Sequence, residues 1–154
     1  MIGRPTSAQL IETVRSELSE RIAPAIDDPG LSTRLQMIDW LLASIARRCE
    51  HEIGWMREEI AAIACLSGEL DNFDGAWGRR LGEAIKEFRR ASTDSQHLRD
   101  VLHEYDKASE VLSQILETPV AQTGSLMARA EVLLDRRVAH ETAVRGAFAL
   151  VGRL

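Results

Sequence analysis

The sequence is poor in aromatic residues and has no long apolar run. Phe, Trp and Tyr make up 5% of its 154 residues, and Val and Thr seldom cluster, so material for β-strands is scarce. No apolar run approaches the ~20 residues that a membrane-spanning helix needs. The first residues, MIGRPTSAQLIE, lack the apolar stretch of a secretory signal. These absences predict a cytoplasmic protein with no membrane partner.

Cysteine is also rare, with only Cys49 and Cys65 present. Both fall in one predicted helix, where their separation corresponds to roughly 24 Å. A disulfide joins Cα atoms within ~7 Å, so a continuous helix excludes this bridge. Cys49 lies on the apolar side of that helix and His51 points elsewhere, which predicts a buried structural thiol rather than a Cys–His nucleophile pair.

Strong positive charge and catalytic motifs are missing as well. The formal net charge of −5 and the pI near 5.4 disfavour nucleic-acid binding, because phosphate binding needs a concentrated basic face. No phosphate-binding glycine loop, nucleophile elbow or zinc spacing occurs. The sequence therefore predicts no cofactor and favours a non-enzymatic protein, without deciding that question.

Possible metal ligands occur in one stretch. His97, Asp100, His103 and Glu104 lie close together, but a di-iron bundle needs Glu-x-x-His motifs on two helices and carboxylates from two others. His103 and Asp100 also lie on the polar side of their predicted helix. We therefore predict a solvated face and no metal site.

The longest predicted helix, Leu31 to Leu66, organises the rest of the chain. Since each residue turns ~100° about a helix axis, eight residues share a stripe roughly 80° wide, which predicts a face packed against the core. The stripe contains Ile38, Leu42, Ile45, Cys49, Ile53, Met56, Ile60 and Ile63. Ser32 or Thr33 is the predicted N-cap. Gly54 costs about 1 kcal/mol relative to Ala, so the stretch is either one helix or two that meet near it.

Helical periodicity recurs elsewhere in the chain. Thr6 and Gln9 form a predicted capping box, and Pro24 is expected to kink or end the helix that follows. Its apolar face is predicted at Leu10, Val14, Leu18 and Ile22. Three later segments repeat at helical spacing, and the links are short. We predict an all-α fold, an up-and-down bundle of about five helices with a long central helix, as one domain spanning residues 1–154.

Two surfaces are candidates for function. Arg137, Glu141 and Arg145 follow each other at i, i+4 and i+8 within the apolar stripe of the last helix. They predict either a polar pocket that grips a carboxylate or phosphate or a ladder of helical ion pairs in water or at a subunit contact.

The second candidate is on the long helix, where Trp40 lies nearly opposite the stripe and Trp55 lies well off it. With Met37 they predict an interface, because large aromatic residues are enriched at protein contacts.

The opening Gly3-Arg4-Pro5-Thr6 precedes a helix with Leu10 and Val14, a proline near its end and a long Leu- and Ala-rich helix. This pattern, over about residues 1–66, resembles an uncharacterised family of small bacterial helical proteins encoded beside aminoglycoside-phosphotransferase-like kinases and acyl-CoA dehydrogenases. The resemblance implies no catalytic residues. It implies an accessory role near the metabolism of acyl-CoA or hydroxy-acids.

These observations favour a non-enzymatic helical bundle that acts through protein contacts, as a homo-oligomer or with a partner enzyme. The alternative is a binder of, or an enzyme on, an anionic small molecule such as an acyl-CoA or a phosphorylated acid, held by Arg137, Glu141 and Arg145.

Overall fold

The computed structural model describes residues 4–70, 75–117 and 125–146. Five α-helices account for most of these residues: α1 over Ser7–Glu17, α2 over Pro29–Gly68, α3 over Gly75–Ala91, α4 over Leu98–Leu116 and α5 over Ser125–Arg145. The described residues contain no β-strand, so the prediction of an all-α fold with five helices and one long helix is confirmed. None of the described helices is long and apolar enough to cross a membrane.

The first helix begins where the sequence predicts. The Thr6 hydroxyl accepts a hydrogen bond from the Gln9 backbone N–H at 3.3 Å, and the Gln9 side chain accepts one from the Thr6 N–H at 2.9 Å. These two bonds form the capping box. A π-helical turn, Leu18–Ile22, and a 3-10 turn, Ala23–Ala25, follow α1. Helical structure therefore ends one residue after Pro24, which cannot donate the bond that would continue it.

The long helix α2 is continuous from Pro29 to Gly68, so the two-helix alternative is wrong. The Asp28 carboxylate caps it by accepting hydrogen bonds from the backbone N–H groups of Gly30 at 2.7 Å and Leu31 at 2.9 Å. Proline is favoured at the first helical position because its missing N–H has no partner there. The predicted caps Ser32 and Thr33 are therefore wrong, since both lie inside the helix.

The chain divides into two compact units. The first comprises Met1–Glu52 and His140–Leu154, and the second comprises Ile53–Ala139. Helices α2 and α5 each contribute residues to both units. That the whole of residues 1–154 behaves as one domain stays a prediction.

The second unit has a hydrophobic core to which α2, α3, α4 and α5 all contribute. Met56, Ile60 and Ile63 of α2 are buried in it, so the predicted packed stripe is confirmed for this part of the helix. The core residues from the other helices include Leu81, Ile85, Phe88, Val101, Ala108, Val111, Leu112, Ile115, Ala130 and Leu133. Apolar helix faces that bury each other in this way form the core of a bundle.

The first unit buries small side chains and exposes large ones. Its buried apolar residues in the described ranges are Ala8, Ala43, Ala46 and Val144. Ile38 is 48% exposed and Ile45 is 46% exposed, and Cys49 is exposed too. The prediction of a packed stripe and a buried thiol is wrong here. The first unit instead buries Ala43 and Ala46, which lie about 80–140° around the axis from Ile38.

Candidate interaction surface

An apolar stripe lies on the part of α2 that belongs to the first unit. It consists of Leu31, Ile38, Leu41 and Ile45, each 46–51% exposed, and we call it the α2 stripe. At ~100° per residue these four side chains fall within about 80° of the helix circumference. Met37, which is 54% exposed, borders them. A contiguous apolar face of this kind is typical of a protein-contact site.

Exposed apolar side chains are concentrated in the first unit. Of the twelve large apolar residues that are exposed within the described ranges, eight belong to it. Besides the α2 stripe and Met37, they are Leu10, Val14 and Ile22. The predicted apolar face of the first helix is therefore largely open to water as well.

The opposite side of α2 is held by hydrogen bonds to the end of α5. The Trp40 indole N–H donates to the carbonyl of Arg145 at 2.8 Å, and Arg47 Nε donates to the carbonyl of Val144 at 2.9 Å. The last carbonyls of a helix have no partner within it, so these bonds satisfy groups that would otherwise need water. Trp40 and Arg47 lie about 160–180° from Ile38 around the axis, which leaves the α2 stripe uncovered.

An ion pair joins α1 to a third side of α2. Arg15 Nε donates to Asp39 at 2.8 Å, and a second guanidinium nitrogen donates to the other carboxylate oxygen at 3.0 Å. This hydrogen bonding raises the pKa of Arg15 above its ordinary value. Asp39 lies about 100° from Ile38 around the helix. The contact therefore leaves the α2 stripe open.

Charged residues lie in line with the α2 stripe at both ends. Arg48 forms an i,i+4 ion pair with Glu52 at 2.8 Å. Arg34 is exposed, and among the described residues its guanidinium has no hydrogen-bond or ion-pair partner. The stripe therefore has an available cation near its N-terminal end and a carboxylate near its C-terminal end.

The three residues predicted for an interface have different surroundings. Met37 is exposed beside the α2 stripe. Trp40 is half-buried and donates the hydrogen bond to Arg145, whereas Trp55 is half-buried and belongs to the second unit. The sequence does not predict the α2 stripe as an interface: Ile38 and Ile45 are predicted to face the core, and Leu31 and Leu41 have no predicted role. Helical spacing shows which residues share a face of the helix, but it does not show whether that face is buried.

Arg137, the first residue of the predicted ligand site, belongs to a polar cluster in the second unit. Its Nε donates to Glu59 at 3.0 Å, and a terminal nitrogen donates to the Ser109 hydroxyl at 3.1 Å. The Tyr105 hydroxyl donates to the same Glu59 oxygen at 2.8 Å, and the guanidinium lies 5.1 Å from the Tyr105 ring centre. This cluster holds Arg137 firmly against a carboxylate of its own chain.

Glu141 and Arg145, the other two predicted ligand residues, belong to the first unit. They form an i,i+4 ion pair at 3.7 Å with side chains that are 51% and 72% exposed. This is the arrangement of a helical ion-pair ladder in water, the second of the two predicted alternatives. The structure places Arg137 in one unit and this pair in the other.

A second buried ion pair was missed by the sequence analysis. Arg57 donates to Glu104 at 2.5 Å and also to the carbonyl of Ser95. Glu104 is only 3% exposed, so the prediction that it lies on a solvated face is wrong. The spacing contained the signal, because Glu104 lies three residues after the buried Val101 and four before the buried Ala108. A buried carboxylate needs a paired cation, and this pairing fits a structural role.

A shallow groove of about 250 Å³ lies in the second unit, lined in part by Cys65, Leu66, Arg129 and Val132. A terminal nitrogen of Arg129 is 3.9 Å from the Cys65 sulfur. Arg129 also pairs with Glu69, and this hydrogen bond raises the pKa of Arg129. The groove combines apolar side chains with the paired guanidinium of Arg129 and the exposed side chain of Arg136.

The stretch with possible metal ligands lines another open groove. His103 and Asp100 are both exposed at its edge. Within the described ranges, no group of three His, Cys, Asp or Glu side chains could hold a metal ion.

Comparisons with known proteins give no relative for this chain: no family model matches it, and neither the curated proteins nor the solved structures yield a match.

Proposed function

We propose that this protein acts through protein–protein contacts rather than as an enzyme, and that the α2 stripe is the contact surface. The observation that supports the proposal is the exposure of four large aliphatic side chains on one face of one helix. Fully burying a Leu or Ile side chain is worth about 1.5–3 kcal/mol. These side chains are about half exposed in the folded chain. A partner that covers them therefore gains the free energy of burying the exposed part.

A second copy of the chain is the partner that the proposal names first. When two copies meet through the same stripe, each copy buries the stripe of the other, as in most symmetric dimers. A partner enzyme is the alternative occupant. The resemblance to proteins encoded beside acyl-CoA dehydrogenases supports an accessory role near acyl-CoA or hydroxy-acid metabolism.

Self-association is tested by size-exclusion chromatography with light scattering across a dilution series. We expect a dimer that dissociates on dilution between about 200 and about 1 µM, which corresponds to a Kd of micromolar order. A chain that stays monomeric throughout this range contradicts the proposal that a second copy occupies the stripe.

The contact surface is tested with Leu41→Ser, which removes a half-exposed aliphatic side chain from each copy. Losing about 1 kcal/mol per copy should weaken a symmetric dimer roughly 30-fold. Val132→Ser is the matched control, because Val132 is 57% exposed on α5 in the second unit. We expect Val132→Ser to leave the Kd unchanged. An equal effect of the two substitutions would place the contact elsewhere.

Binding of an anionic small molecule stays a prediction. A thermal-shift screen with CoA esters and sugar phosphates tests it, since a ligand at 100 times its Kd stabilises the folded state by about 2.7 kcal/mol. A positive shift that survives Arg137→Ala would remove Arg137 from that hypothesis.

A further inference from the structure

The residues in line with the α2 stripe follow the spacing of a coiled coil. Steps of three and four residues alternate through Leu31, Arg34, Ile38, Leu41, Ile45, Arg48 and Glu52. This heptad spacing keeps one seam of a helix facing a partner helix over several turns. All seven side chains are exposed or half-buried. The seam is therefore suited to pairing with another helix.

The charges on this seam distinguish the possible orientations of a second copy. In a parallel pair in register, Arg34 would face Arg34, and Glu52 would face Glu52, and like charges placed together disfavour association. In an antiparallel pair centred near residue 43, Arg34 of each copy faces Glu52 of the other. The antiparallel arrangement thus converts two repulsions into two attractions.

The same register also matches the apolar residues. It places Leu41 of each copy opposite Ile45 of the other copy, so that these two apolar pairs flank the symmetry axis. Ile38 faces Arg48, whose aliphatic stem can cover it while the guanidinium stays with Glu52, its partner at 2.8 Å. A slip of one heptad in either direction separates Arg34 from Glu52 and sets two charged seam residues, instead of one, opposite aliphatic side chains. Charge complementarity therefore selects one register.

We infer that the α2 stripe binds a second copy of this chain in an antiparallel, two-fold symmetric pair in which Arg34 of each copy contacts Glu52 of the other. The inference rests on the proposed function and adds the partner's orientation and register. A two-fold interface uses the same patch on both copies. The seam meets this condition because its cation and its carboxylate lie at opposite ends.

Charge reversal tests the pairing. Arg34→Glu and Glu52→Arg should each weaken the dimer by about 10-fold or more, because each places like charges together twice, and the double variant should restore the Kd to within about 3-fold. An equimolar mixture of the two single variants should form a heterodimer, since all its charge pairs are then opposite. Arg21→Glu is the control, with a side chain that is 75% exposed elsewhere in the first unit. It should leave the Kd unchanged.

Cross-linking tests the orientation with different residues. In a chain with Cys49→Ser and Cys65→Ser, the pair Ile38→Cys and Arg48→Cys should give a disulfide-linked dimer under mild oxidation. Ile38→Cys alone should not, because ten helical residues separate the two thiols by about 15 Å in the antiparallel pair, beyond the ~7 Å that a disulfide spans. In a parallel pair the single variant would cross-link.

The outcomes separate this inference from the proposed function. A dimer that ignores both charge reversals, or that cross-links through Ile38→Cys alone, overturns the antiparallel register and leaves the contact surface standing. A chain that is monomeric at every concentration overturns both. Heterodimer formation by the mixed variants, together with cross-linking only in the double-cysteine chain, supports the inference.

Discussion

Ile38 and Ile63 lie on the same helix and on the same stripe by periodicity, yet Ile38 is 48% exposed and Ile63 is 1% exposed. In the second unit, α3, α4 and α5 bring their own apolar faces to the core around Ile63. In the first unit, the buried apolar residues of the described ranges are three alanines and one valine. Periodicity thus determines which way an apolar face points, whereas its burial depends on how much apolar surface the rest of the unit supplies.

Polar residues show the reverse distribution. The second unit buries Glu59 and Glu104 and neutralises each with an arginine. The pair formed by Glu141 and Arg145 in the first unit is exposed to water. Substitutions should therefore act differently in the two units. In the second unit they should lower the free energy of unfolding, because its stability depends on interior contacts. The first unit has an apolar surface that is available for a partner.

The largest expected effect is in the buried ion pair. Arg57→Leu leaves the Glu104 carboxylate buried without its cation, which should lower the free energy of unfolding by about 3–5 kcal/mol. Urea denaturation followed by circular dichroism measures this change. The double variant Arg57→Leu/Glu104→Leu should recover most of the loss, because no unpaired charge remains.

The exposed pair supplies the control for this prediction. Arg145→Leu should change the free energy of unfolding by less than ~0.5 kcal/mol, because that pair is solvated and spans one helical turn. Equal losses from Arg57→Leu and Arg145→Leu would contradict the contrast between the two units.

The two isoleucines test the comparison directly. Ile63→Ala removes a fully buried side chain and should cost about 2–5 kcal/mol. Ile38→Ala should cost less than ~1 kcal/mol when unfolding is measured below the concentration at which the chain self-associates. Similar costs at the two positions would show that the α2 stripe is covered within the chain.

Much of the fold follows from local patterns. The Thr6 capping box and the stop at Pro24 depend on neighbouring residues, so their chemistry is readable in sequence. The predicted cap of α2 is wrong because Asp28, Ser32 and Thr33 can all accept the hydrogen bonds of an N-cap. The choice among them depends on the start of the helix, which is at Pro29.

The candidate site was less predictable because it depends on distant residues. Trp40 donates its hydrogen bond to a carbonyl at the end of α5, a contact across more than a hundred residues that no helical spacing reveals. The same holds for Glu59, which meets Tyr105 and Arg137 from two other helices. The exposure of Ile38 and Cys49 likewise depends on what the rest of the first unit leaves uncovered.

A smaller effect is expected at the start of α2, in the exposed half of the comparison. Asp28→Ala removes the acceptor for two backbone N–H groups and should destabilise the helix start by about 1 kcal/mol. Hydrogen exchange of the first turns of α2 measures this loss locally. Ser32→Ala is the matched control and should have little effect, because Asp28 already caps the helix. The reverse result would restore the predicted cap at Ser32.

The smallest effect concerns Gly54, at the point where the exposed part of α2 gives way to the packed part. A Cβ atom at this position would have no heavy atom within 4 Å beyond its own helix neighbourhood, and the residue does not adopt positive φ. Gly54→Ala should therefore stabilise the chain by about 0.5–1 kcal/mol, since alanine loses less backbone entropy in a helix. Thermal or urea unfolding measures the gain.

Gly146→Ala provides the opposite sign for the same substitution. Gly146 has φ of +64°, and a Cβ there would lie 2.9 Å from a guanidinium nitrogen of Arg47. The left-handed backbone costs an alanine roughly 1–2 kcal/mol, so this variant should destabilise the first unit. For Gly54→Ala, a loss of stability would contradict the prediction. It would mean that packing in the second unit, more than local helix propensity, keeps α2 continuous at this position.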